Sequence, residues 1–166
     1  MRSEAQKRVF EGLAERSALR VGPLRLWLTQ PLGMVTQLEP GAHASASLAQ
    51  VVAGAANSAL LGLYRREPRP MFFAHDWRNL ASYESEARRV LTEWALGLGA
   101  ARIARVDILL DATTSSFVRM GTAVGQAALA VGGVTMRVHY DAAAFARASE
   151  AALLRPHPGW RERTPG

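Results

Sequence analysis

Hydrophobic and polar positions follow two periods along this chain, and the switches between them mark its elements. Leu24 to Thr29 alternates, with Leu24, Leu26 and Leu28 on one face and Arg25, Trp27 and Thr29 on the other. Pro31 and Gly33 predict a turn and Met34 to Leu38 a second strand, so the pair reads as an antiparallel hairpin ended by Glu39-Pro40-Gly41. From Ser45 or Ser47 to Arg66 the period becomes helical, with Leu48, Val51, Val52, Ala55, Ala59 and Leu63 as the expected buried stripe. Gly54 and Gly62 each cost about 1 kcal/mol there against Ala, which points to tight helix–sheet packing. Ahead of the hairpin, Met1 to Leu19 predicts a polar helix with only Val9, Phe10 and Leu13 as an apolar stripe, read as a solvated arm.

The remaining elements are laid against Met71-Phe72-Phe73-Ala74-His75-Asp76-Trp77. Met71 to Ala74 is an unbroken apolar run that suits a strand buried on both faces, and His75, Asp76 and Trp77 make its carboxyl end polar. Ser82 is the expected cap of a helix reaching Leu98, with Ala87, Val90, Leu91, Trp94 and Leu98 inward and Glu84–Arg88 and Arg89–Glu93 pairs outward. Ala104 to Leu110 is the next strand. Asp111-Ala-Thr-Thr-Ser-Ser116 forms a polar rim, and Ser115 or Ser116 caps a helix from Phe117 to Val131 whose expected stripe is Phe117, Met120, Gly121, Val124, Ala128 and Val131. Val134 to Tyr140 alternates as a strand at or near an edge, and Asp141 caps a last helix to Leu154. The order β-β-α-β-α-β-α-β-α predicts an α/β fold: a mostly parallel five-stranded sheet with an N-terminal antiparallel hairpin and helices packed on it. Residues 23–154 would form the domain, 1–22 the arm, and 155–166 a disordered tail marked by Pro156, Pro158, Gly159 and Pro165.

Composition narrows the classes. The chain has 166 residues, about half of them hydrophobic, which is enough for one real core. It has no cysteine, so disulfides, thiolate nucleophiles and cysteine metal sites are excluded, in keeping with a reducing, cytoplasmic setting. His43, His75, His139 and His157 lack metal-ligand spacing, so no metal is expected. The net charge of +6 comes from dispersed arginines without an interleaved aromatic patch, which argues against nucleic acid. No secretory signal is legible. Pro40 to Tyr64 carries no formal charge, but its serines, glutamine, asparagine and alanines suit a helix buried in protein rather than an integral membrane segment.

Ligands of such sheets gather at the carboxyl ends of the strands, where His75-Asp76-Trp77, Ser82 and Tyr83 should meet Asp111 to Ser116. His75, Asp76 and a rim serine are the residue types of nucleophilic catalysis. No GxSxG elbow accompanies them, and neighbours in a strand point to opposite faces. Asp76 and Asp111 have the chemistry for Mg²⁺ but no phosphate-binding loop beside them. The plainer account makes Asp76 a turn cap or partner of Arg78, and the serines and threonines caps. No catalytic set and no cofactor is expected.

Phe73-Ala74-His75-Asp76-Trp77-Arg78-Asn79-Leu80, then Tyr83 and Ala87-Arg88, then the strand ending at Leu110, Val118-Arg119-Met120-Gly121, and Tyr140-Asp141 with Phe145 form a pattern. Over Leu24 to Leu154 it resembles the SpoIIAA-like branch of the STAS superfamily. The resemblance implies a bacterial, non-enzymatic regulatory domain that binds a protein partner, as anti-sigma-factor antagonists do, and it is compatible with a homodimer. Such antagonists are switched by phosphorylation of a serine in a D-S-S-G loop. That motif is lacking here, and the nearest segment is Ala81-Ser82-Tyr83-Glu84-Ser85. The implied interaction surface is Asp76, Trp77, Arg78, Ser82, Tyr83 and Arg88. The branch is also similar in fold to the Sec14 (CRAL-TRIO) lipid carriers. That similarity implies an alternative, a carrier or sensor of a lipid-like or other apolar small molecule. Gly54, Gly62, Gly121 and Gly125 would leave it room, and His75, Asp111, Thr114, Ser115, Ser116 and Met120 would line its crevice.

Overall fold

A computed structural model describes residues 8–161. The strands are β1 (Leu19–Val21), β2 (Leu24–Gln30), β3 (Gly33–Leu38), β4 (Ala42–Ala44), β5 (Met71–Asp76), β6 (Leu80–Tyr83), β7 (Ile103–Leu109), β8 (Met136–His139) and β9 (Arg155–Pro156). The helices are α1 (Ala46–Val51), α2 (Asn57–Arg66), α3 (Ser85–Leu98), α4 (Ser116–Val131), α5 (Ala142–Ala148) and α6 (Pro158–Arg161). A π turn over Val52–Ala56 joins α1 to α2 in one continuous rod.

The fold is α/β with a mixed, mostly parallel sheet. Its order is β1-β2-β3-β5-β7-β8, and β9 pairs with β2 beyond the end of β1. β3, β5, β7 and β8 are parallel neighbours, and β2 runs against them. The sheet has seven strands rather than the expected five, because β1 and β9 share the outer edge of β2. β4 and β6 add a separate parallel ribbon. β8 lies at an edge, as its alternating pattern suggested.

Alternation along the strands divides the interior into two cores. Leu24, Leu26, Leu28, Met34, Met71, Phe73, Val106 and Ile108 face the layer of α1–α2, α3 and α4. Trp27, Val35, Ala74 and Leu109 face the other way, onto Val9, Phe10, Leu13, Phe145 of α5, Ala151 and Leu154. This second face corrects two expectations. Residues 8–19 form no polar helix: a 3-10 turn at Glu15–Ser17 leads into β1, and Val9, Phe10 and Leu13 are buried because the far face of the sheet needs a cover. Residues 155–161 are likewise ordered into β9 and α6, with Trp160 buried and its indole donating to the Ser17 carbonyl (3.3 Å). Residues 1–7 of the expected arm and 162–166 of the expected tail lie outside the described residues.

The helices start and stop where local chemistry asks. Ser45, Ser115 and Asp141 accept from Leu48, Val118 and Ala144 as N-caps. Gly99 ends α3 in the left-handed region (φ 78°). The last helix stops at Ala148 and only a 3-10 turn continues to Leu153. Ala46–Arg66 is long and apolar enough to cross a membrane by length and composition. Here its Val52, Ala56, Leu60 and Leu63 pack in the core, while Ala55, placed in the expected stripe, is exposed.

Candidate functional site

β5 delivers its polar end to both faces at once. His75 lies on the helical side, 6% exposed, stacked against Trp77 (centroids 5.2 Å) and Phe73 (6.4 Å). Its Nδ1 is 2.7 Å from the Thr36 hydroxyl, which accepts from the Trp77 indole at 3.1 Å. Burial pushes the imidazole down to about 4, against the opposing pull of Asp107, so it is neutral at neutral pH. Asp76 points to the opposite face. Arg78 grips its carboxylate through Nε and Nη2, both at 2.9 Å, Gln37 donates at 3.3 Å, and both members of the ion pair are buried. The hydrogen bond to Asp76 raises Arg78 above its ordinary value. His75 and Asp76 therefore cannot act on one substrate atom.

The Asp111 loop emerges at the same end of the sheet, since β5 and β7 are parallel partners through Asp76 and Leu109. Its residues form a helix-initiating turn. Asp111 accepts from the Thr113 amide (2.8 Å) and hydroxyl (2.6 Å), which lowers its carboxyl below the usual range. Thr114 accepts from the Asp111 amide, Ser115 caps α4, and Ser116 is exposed. None of Asp111, Thr114, Ser115, Ser116 and Met120 shares a crevice with His75, which lies beneath the helices.

Ser82 does not cap α3; Glu84 occupies that position. Ser82 sits in β6, 2.8 Å from His43 Nδ1, and His43 Nε2 is 3.6 Å from Glu84. Nothing local announced this group, because it joins residues 39 apart through the β4–β6 pairing. The types are those of a nucleophilic triad. His43 and Glu84 are exposed, Glu84 is engaged by the Ala46 amide, and none of the three lines the cavity described below.

That cavity is apolar and lies under the helices. It holds about 130 Å³ between the sheet and the helical layer and is partly open to solvent. Phe73, His75, Val106 and Ile108 form its floor; Leu48, Ala49 and Val52 one wall; Ala87, Arg88, Leu91, Thr92 and Trp94 of α3 and Gly121, Thr122, Gly125 and Leu129 of α4 the others. Of the four glycines that the Sec14 resemblance implied would leave room, Gly121 and Gly125 line it; Gly54 is exposed and neither Gly54 nor Gly62 lines it. Of the expected interaction surface, Trp77, Tyr83 and Arg88 line this cavity, and Asp76 and Arg78 are sequestered in their ion pair.

Of the expected stripe of α4, Gly121 is buried and Ala128 half-buried, but the helix is turned so that its larger members face out. Val118, Gly121, Gly125 and Leu129 are buried, while Phe117, Met120, Val124 and Val131 are exposed. A second polar cluster lies on the other face of the sheet. Asp107, buried on the other face, receives Arg105 (2.6 Å), Arg137 (2.9 Å) and His139 (2.8 Å). Burial would raise its carboxyl, but these donors together hold it below the usual range. The signal was the opposed charges at period two in β7 and β8, which pair Asp107 with Arg137. Arg105 and Arg137 also donate to the Ala148 carbonyl, fastening the end of α5. Among the described residues, no group of three or more acidic or histidine side chains is arranged to hold a metal.

Compared with known protein families, curated proteins and solved structures, the chain matches none of them.

Proposed function

We propose that this chain is a non-enzymatic binding domain that takes a small apolar molecule between its sheet and helices, as a carrier or sensor of the Sec14 (CRAL-TRIO)-like kind. The cavity beneath α3 and α4 supports this reading. Its walls are mostly aliphatic and aromatic, and its volume of about 130 Å³ is comparable with cavities that admit a benzene-sized guest. The side chains the sequence offered for catalysis serve structure: His75 is stacked and neutral, Asp76 is paired, and Ser115 is a cap, while the exposed Ser82–His43–Glu84 group lies outside the cavity. Native mass spectrometry of freshly purified protein should show a retained apolar adduct that Gly125→Val, by narrowing the cavity, removes. A clean apo mass for the wild type would overturn the reading.

A second reading has its own observation. The exposed stripe of Phe117, Met120, Val124 and Val131 on α4 suits a STAS-type regulatory domain that binds a protein partner. It moves the contact surface from the expected residues between Asp76 and Arg88 to α4. A clean apo mass together with a stable protein partner lost in Met120→Glu supports this alternative.

A further inference from the structure

We infer that the ligand of this cavity is a small monoanionic amphiphile, a carboxylate on a compact apolar body of about six carbons, with Arg88 as its counter-ion. The inference rests on the binding reading above and adds the charge and size of the guest. Arg88 is the one charged side chain in the lining. It is half-buried, its Nε is shielded from water without an acceptor, and no carboxylate pairs with it among the described residues. The carboxylates within reach along α3 are committed elsewhere. Glu84, the expected i,i+4 partner, accepts from the Ala46 amide and faces His43, and Glu86 and Glu93 both clamp Arg89. Trp94, on the same wall, also has a buried indole N–H without an acceptor.

A cation half-withdrawn from water beside an apolar space is costly unless an anion meets it. Arginine offers a carboxylate two parallel donors. Arg88, Thr92 and Leu96 lie in a line along α3, and Thr92 and Leu96 face Gly125 of α4 and its C-cap Gly132, so Arg88 lies on the α4 side. There a headgroup can reach it while the hydrocarbon rests on Phe73, Leu91 and Leu129. A single cation suits a monoanion better than a phosphate dianion. The volume of about 130 Å³ limits the body to roughly the size of benzene.

The test uses the full chain and three six-carbon probes, hexanoate, 1-hexanol and hexylamine, by calorimetry and by the shift of the unfolding midpoint. Hexanoate should bind about tenfold or more tighter than 1-hexanol, and hexylamine weakest. Arg88→Met, which keeps the aliphatic stem, should bring hexanoate down to the affinity of 1-hexanol, and Arg88→Lys should restore part of the advantage. Equal binding of hexanoate and 1-hexanol by the wild type overturns the carboxylate assignment and leaves the cavity reading standing. Failure of all three probes overturns both. Should Arg88→Met not fold, the wild-type comparison of the three probes decides alone.

Discussion

The Tyr83 ring lies over Gly121 so closely that a β-carbon at position 121 would overlap its hydroxyl and ring. Tyr83 is stacked on Phe117 as well, with centroids 4.8 Å apart, so it has little freedom to retreat. Gly125, one turn further along α4, has Thr92 Oγ1 as its nearest neighbour at an ordinary 3.8 Å. Gly121→Ala should therefore destabilise by about 1–3 kcal/mol despite the better helix propensity of alanine. Gly125→Ala should stabilise by about 0.5–1 kcal/mol. Urea denaturation measures both. Tyr83→Ala should cancel most of the Gly121→Ala penalty in a double-mutant cycle, and simple additivity would show that the two residues do not meet.

The protonation of His75 sets a pH window for stability. Its folded value of about 4 lies below the ordinary 6.5, chiefly because burial strips the imidazolium of water. Between those values the unfolded chain binds a proton that the folded chain refuses. Stability is then intact above about pH 6.5 and falls as the pH drops toward 4. The loss by pH 4 is about 3 kcal/mol, at about 1.4 kcal/mol per pH unit. His75→Gln retains a partner for Thr36 and should flatten this slope. Urea midpoints between pH 7 and pH 4.5 check it, and an unchanged slope in the variant would place the titration elsewhere.

Asp107 joins β7, β8 and the end of α5. Asp107→Asn leaves Arg105, Arg137 and His139 without their common anion. The expected cost is about 2–4 kcal/mol, held down because half-exposed Arg137 can hydrate. Hydrogen exchange should rise first in α5, whose terminal carbonyl at Ala148 the two arginines hold. Equal protection of α5 in both proteins would mean that the network does not fasten it.

What the sequence disclosed depended on how local the cause was. The run from Met71 to Ala74 and the alternation of Leu24 to Thr29 are one-strand patterns, and both strands are present, but Phe72, expected to be buried, is 42% exposed with Arg105 over its ring. The opposite directions of His75 and Asp76 followed from the strand period alone. β4 and β6 did not, since three- and four-residue strands carry too little pattern and pair across residues 39 apart. Val9, Phe10 and Leu13 looked like a thin stripe among charges; they are buried because Trp27, Val35, Ala74 and Leu109 present a second apolar face. The rotation of α4 was hidden for a similar reason. Phe117, Met120 and Val124 are more hydrophobic than Gly125, so periodicity selects them beside Gly121. At Gly121 the inner face is fixed instead by how closely Tyr83 approaches, which depends on where β6 lies.

That rotation leads to a contrast between two residues of one helix. Leu129 is 5% exposed and belongs to the cavity wall, whereas Met120 is 61% exposed. Leu129→Ala removes buried methyl groups and enlarges the cavity, so it should cost about 2–4 kcal/mol. Met120→Ala loses little contact and gains helix propensity, so its change should stay within about 0.5 kcal/mol. Met120→Glu should be equally silent in stability, which makes it a clean probe of any surface role of the α4 stripe. Denaturant midpoints of the three variants decide the matter. A silent Leu129→Ala beside a costly Met120→Ala would turn α4 round, take Gly121 and Gly125 out of the cavity wall, and remove the space on which the proposed binding depends.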